Sequence, residues 1–135
     1  MKFSNGCWLQ KEDCACFSPA QIYFTKIEKD RVTLCAPTNK INHRGDTLGG
    51  VTLTIQISAP YPEVLRIQTY HHMGLKERMP QFELAAPQNG NLVAEETEKQ
   101  IIVKSGELRI EIEKESGAFV FWRGAEKITG SGWRD

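Results

Sequence analysis

No sign of charge dominates this chain. Seventeen Lys and Arg are balanced by seventeen Asp and Glu among 135 residues. Nucleic-acid binding needs a cationic surface to neutralise phosphates, and the balance offers none. It offers none for an anionic membrane surface either. No stretch approaches the roughly 20 consecutive apolar residues of a membrane span. Behind Lys2 the apolar core of a signal peptide is missing, although Asn5-Gly6-Cys7 faintly resembles a lipoprotein cleavage box. Asn-x-Ser/Thr acceptors, phosphate loops, dinucleotide fingerprints and nucleophile elbows are all absent. These absences predict a cytoplasmic protein that binds neither nucleic acid nor membrane.

Cysteine is scarce, with four residues: Cys7, Cys14, Cys16 and Cys35. Four thiols could form two disulfides, but a chain this long can bury roughly two thirds of its unfolded surface and holds a core without them. Cys14-Ala15-Cys16 lacks the two-residue spacing of a zinc knuckle or redox pair. Free, reduced thiols and no metal are therefore expected. The length fits one domain, and 40% hydrophobic with 25% charged residues is ordinary for a globular protein.

What the sequence does hold is period-two alternation. Gln21 to Ile27, the polar turn Glu28-Lys29-Asp30, and Arg31 to Ala36 read as a hairpin ended by Pro37. After Gly49-Gly50, the apolar Val51, Leu53, Ile55 and Ile57 alternate with Thr52, Thr54, Gln56 and Ser58, which predicts one buried and one wet face. Pro60-Tyr61-Pro62 breaks the chain before a strand over Val64–His71, with Leu65, Ile67 and Thr69 on one face. Residues 73–91, with Pro80 and Pro87, predict an irregular loop or short helical turn. A meander follows: Leu92 to Glu96, Ile101 to Lys104, Leu108 to Glu113, Ala118 to Trp122 and Lys127 to Thr129, with turns at Thr97-Glu98-Lys99, Ser105-Gly106 and Ser116-Gly117. Many short strands with frequent turns predict an all-β, antiparallel sandwich or barrel rather than a parallel α/β sheet. Gly130 to Asp135 only pauses that rhythm, as a boundary inside a longer polypeptide or a frayed terminus would.

Few residues invite a chemical reading. His71 and His72 are adjacent in a predicted strand, so their side chains point to opposite faces and do not share an ion. Glu107, Glu111 and Glu113 share a strand face, and paired carboxylates are what a glycosidase uses. They alternate with Leu108, Ile110 and Ile112, however, as the wet face of a half-buried strand should. Arg44-Gly45-Asp46 matches a cell-adhesion tripeptide, and a turn explains it equally well. Trp8, Tyr23, Phe24, Tyr61, Tyr70, Trp122 and Trp133 could stack on sugar rings, though strand aromatics more often belong to a core or interface.

Met1 to Leu9 resembles the opening of the α-xylosidases of glycoside hydrolase family 31. The resemblance runs through the Ile22 hairpin, Ala36-Pro37, Arg44, the strand from Gly49 to Pro60, and Val64 to Gly74. It is most specific at Lys104-Ser105-Gly106-Glu107-Leu108 and at Phe121 to Gly130, and weakest over residues 75–91. It implies a sandwich of the galactose-mutarotase kind, followed in the same polypeptide by a catalytic (β/α)8 barrel. It implies a retaining enzyme that removes terminal α-linked xylose, with a barrel aspartate as nucleophile and a second barrel carboxylate as acid/base. All those carboxylates would lie beyond residue 135. The expectation for residues 1–135 is thus a noncatalytic N-terminal domain with no catalytic, cofactor-binding or metal residue of its own. It would support the barrel and homo-oligomeric assembly. The alternative is a stand-alone carbohydrate-binding sandwich. A mutarotase or epimerase is disfavoured, because such enzymes need an imidazole acid and a carboxylate base converging on one pocket.

Overall fold

The computed structural model describes residues 17–71 and 90–131. Two antiparallel sheets carry almost all of the regular structure. The first is four-stranded, in the order β1 (Phe24–Ile27), β2 (Arg31–Pro37), β3 (Thr52–Ser58) and β4 (Arg66–Tyr70). The second is a five-stranded meander of β5 (Val93–Glu96), β6 (Gln100–Ser105), β7 (Leu108–Glu113), β8 (Phe119–Arg123) and β9 (Glu126–Ser131). The all-β antiparallel sandwich expected from the alternation is what forms.

The alternation decides which side chains meet. Val32, Leu34 and Ala36 of β2 point inward beside Leu53, Ile55 and Ile57 of β3. Opposite them lie Ile101 and Val103 of β6 with Ile110 and Ile112 of β7, and all ten join one buried cluster between the sheets. Burying a side chain of this size is worth about 1.5–3 kcal/mol, so these four central strands carry most of the stabilisation. Ile22, just before β1, belongs to the same cluster. Its amide donates to the Lys114 carbonyl at 2.7 Å, which ties the first sheet's entry to the end of β7.

Two expected strands are shorter in the structure. The first begins at Phe24, since the Tyr23 amide already donates to the Cys35 carbonyl while residues 21–23 stay outside the ladder register. β4 covers Arg66–Tyr70 rather than Val64–His71, because Glu63 adopts a left-handed backbone at φ 59° and the Val64 amide closes a turn onto Tyr61. The loop expected over residues 73–91 lies, except for its last two residues, outside the described residues. Between β2 and β3 the chain makes a short 3-10 turn, Arg44–Leu48.

One hairpin is irregular. Phe121 pairs with Thr129 and Trp122 with Lys127, so Ile128 has no opposite residue across β8. Such a bulge adds local twist and disrupts the ladder at that point.

Candidate functional site

The carboxylates on β7 are the natural place to look for chemistry. Ile110 and Ile112 are fully buried, so Glu111 and Glu113 must point to the outer face. Glu111 is engaged twice. The Trp122 indole Nε1 donates to its Oε2 at 3.0 Å, and Arg109 Nε lies 3.1 Å from its Oε1. The Arg109 contact is a charge contact rather than a hydrogen bond, for Nε is buried and has no aligned acceptor. Arg109 and Trp122 are direct cross-strand neighbours, and the guanidinium carbon sits 5.0 Å from the ring centroid. Cation, carboxylate and indole thus brace one another on the outer face. Glu113 accepts from the Ser116 hydroxyl in the next turn. Glu107 precedes the strand, and its amide donates to both carboxylate oxygens of Glu63 at 3.1 Å. The three glutamates therefore do not converge on a shared substrate position, and the solvated-face reading describes their placement.

The Glu63 contact crosses between sheets and was invisible to local pattern reading, since 44 residues separate the partners. Gly106 makes it possible. Its φ is +60°, and a Cβ there would lie 1.6 Å from Glu63 Oε1. The positive φ favours glycine, and any side chain there would have to displace the Glu63 carboxylate. This is the Lys-Ser-Gly-Glu segment on which the family resemblance is most specific.

The other candidates also fall into local roles. His71 follows β4 directly with its ring 6.1 Å from that of Phe17, while His72 lies outside the described residues. His43 caps the 3-10 turn: its Nδ1 accepts from the Gly45 amide at 3.1 Å. Asp46 answers by accepting from the amides of Asn42 and His43 at 2.9 and 3.1 Å. That reciprocal box engages the Asp46 carboxylate within the turn itself, which explains Arg44-Gly45-Asp46 as a turn motif. A His-x-x-Asp spacing ahead of the Gly49-Gly50 strand was the available sequence signal. Burial pushes the Cys35 thiol up, away from the reactive thiolate. Among the described residues, no group of three His, Cys, Asp or Glu side chains could hold a metal ion. The described residues contain no helix long and apolar enough to cross a membrane.

The aromatics are divided between surfaces. Trp122 lies on the outer face of the second sheet under Arg109, whereas Phe119 and Phe121 face inward with centroids 6.4 Å apart. Tyr70 shares a cross-strand row with Phe24, Cys35 and Thr54 on the outer face of the first sheet. Trp8 and Trp133 lie outside the described residues. A cleft of about 510 Å3 opens between the sheets, walled by Leu53, Ile55 and Ile67 on one side and Phe119 and Phe121 on the other. Among the described residues lining it, the polar side chains are Ser and Thr hydroxyls and none is charged.

No family model matches the chain. Individual proteins, however, are similar to this β-sandwich over most of its length. The relatives are α-xylosidases: one from Emericella nidulans is 30% identical over 99% of the chain, and one from Lactiplantibacillus pentosus is 32% identical over 82% of it. The resemblance read from the sequence is therefore to the right proteins. The chain spans only 18% and 14% of the lengths of these two relatives.

Proposed function

We propose that residues 1–135 form a noncatalytic N-terminal sandwich domain of a retaining α-xylosidase of glycoside hydrolase family 31. In this reading the acid/base and nucleophilic carboxylates belong to a (β/α)8 barrel of the same polypeptide, and the sandwich, of the galactose-mutarotase kind, supports that barrel. The whole enzyme removes terminal α-linked xylose in the cytoplasm, as a monomer or homo-oligomer. The observation that carries the reading is the pairing of near-complete coverage of this chain with a small share of each relative. The β7 glutamates support it too. A retaining glycosidase needs two carboxyl groups about 5–5.5 Å apart facing one sugar. Here the Glu111 and Glu113 carboxylates are each engaged by a different neighbour. The carbohydrate-binding alternative gains less, because the described aromatics do not form one platform.

The test is hydrolysis of an aryl α-xyloside by the 135-residue chain and by the full polypeptide that contains it. Turnover is expected from the full polypeptide alone. Turnover by the 135-residue chain that disappears on Glu111→Gln would overturn the proposal.

A further inference from the structure

Alternate residues of the second sheet point away from the core, and these outward side chains sort by charge into rows that run across the strands. Cross-strand pairing puts Val93, Lys104, Arg109, Trp122 and Lys127 in one row. It puts Glu95, Ile102, Glu111, Val120 and Gly130 in the next. Two residues along a strand span roughly 7 Å, so the rows lie about that far apart. The first row carries cations and no anion, and the second carries carboxylates and no cation. None of these residues is buried.

The outer face of the first sheet differs. Its charged strand residues are Lys26, Arg31 and Arg66, all of one sign, so two copies of it repel. The face of the second sheet is complementary to itself. Consider a two-fold axis in the plane between two copies, running along the rows and midway between them. It turns each cationic row onto the acidic row of the other copy, and a closed two-fold pair uses one patch twice. Arg109 then meets Glu111 of the second copy, and Glu111 meets its Arg109. Lys104 comes to lie over β6 of that copy, one strand spacing of roughly 4.8 Å from its Glu95. Trp122 lies on Val120 of the second copy. Lys127 lies over its Gly130, where no side chain stands in the way.

Contacts within one copy leave these charges available. Lys104 Nζ lies 3.8 Å from Glu95 and Arg109 Nε 3.1 Å from Glu111, and all four side chains keep contact with water. Exposed pairs of this kind contribute little, and they strengthen when a second surface excludes water around them. Trp122 adds what interface centres favour, a large indole already held by Arg109 and Glu111 before any partner arrives. We infer that this outer face, from β5 to β9, pairs two-fold with the same face of a second copy of the chain. The inference goes beyond the enzymatic reading and does not depend on it. At ordinary strand dimensions the face spans roughly 24 by 20 Å, short of the roughly 800 Å2 that each partner of a standard interface buries, so the pairing is weak and salt-sensitive.

Sedimentation velocity of the full polypeptide at about 100 μM, a concentration suited to a weak interface, tests it. A dimer is expected that dissociates as salt is raised. Arg109→Glu and Glu111→Arg each set like charges against each other across the axis, and each alone should weaken dimerisation about tenfold or more. Mixed in equal amounts, the two variants should pair with each other, because every opposed position then carries opposite signs. A role of these side chains within one copy predicts no such rescue. A monomeric wild type, single variants that dimerise like the wild type, or a mixture of folded variants that does not pair each overturn the inference. Zero-length carbodiimide crosslinking needs no variant. When copies made with light and heavy nitrogen are mixed, links between Lys104 and Glu95 should join one isotope to the other. Links within one isotope only, or links from Lys104 to a residue beyond position 135, overturn the inference even if the variants fail to fold.

Discussion

β7 and β9 are both six-residue strands of one antiparallel sheet, and their fates differ completely. Ile110 and Ile112 of β7 are sealed from solvent, whereas in β9 even Ile128 is 53% exposed. Pairing accounts for part of the difference: both strands are hydrogen-bonded to β8, but β7 is also paired with β6, whereas β9 is an edge strand among the described residues. The layer opposite differs as well. β7 faces β2 and β3 across the core, whereas β9 contributes no residue to that core and touches the cleft only through Ser131. In a sandwich, burial is thus conferred by the facing sheet, and a ladder alone leaves a strand wet on both sides.

The contrast can be broken most directly by truncating one isoleucine in each strand. Ile110→Ala should cost roughly 2–5 kcal/mol in urea denaturation, the range for a large-to-small change in a packed core. Ile128→Ala should stay within about 0.5 kcal/mol, as for a surface change. Equal losses would mean that β9 is packed against something in solution.

Gly106→Ala sharpens the same comparison at the entry to β7. A left-handed backbone costs a non-glycine residue about 1–2 kcal/mol, and here the new methyl group also displaces Glu63. The expected loss is about 1–3 kcal/mol, whereas Glu63→Ala should lose only about 0.5–1.5 kcal/mol, the worth of one exposed bond. Gly124, also at positive φ but with open space around its missing Cβ, should suffer the smaller backbone cost alone. Thermal denaturation of the three variants checks the order.

The smallest effect is expected on the outer face of β7. A double-mutant cycle between Arg109 and Glu111 should return a coupling of about 0.5 kcal/mol, because both side chains keep partial contact with water. The fluorescence of Trp122 should shift when Glu111→Gln weakens its acceptor. A coupling near zero with unchanged emission would show the brace to be loose in solution.

Much of this arrangement was legible in the residues. The alternation through Leu53, Ile55 and Ile57 and through Ile110 and Ile112 named the inner faces before any coordinates did, because a strand's period fixes which side chains share a side. Ile67 and Thr69 were likewise assigned to one face correctly. Their exposure was not foreseeable, since local alternation records which way a side chain points and not whether anything waits there. The Glu63–Glu107 contact was hidden for a related reason: it joins two turns 44 residues apart. The neighbouring Lys-Ser-Gly-Glu segment stood out only through family likeness, and Gly106 supplies the physical ground for it. The outward placement of Glu111 was read correctly, but its bond to Trp122 needed the β7–β8 register, which spacing alone does not supply.

The bulge in the last hairpin carries one more consequence. Because Ile128 has no counterpart across β8, its removal would leave the pairs Trp122–Lys127 and Phe121–Thr129 both intact and merely make them consecutive. Elsewhere in these sheets, losing a residue would turn every later side chain inside out. At this position, related sequences are free to differ in length by one residue without scrambling the faces of their final strand.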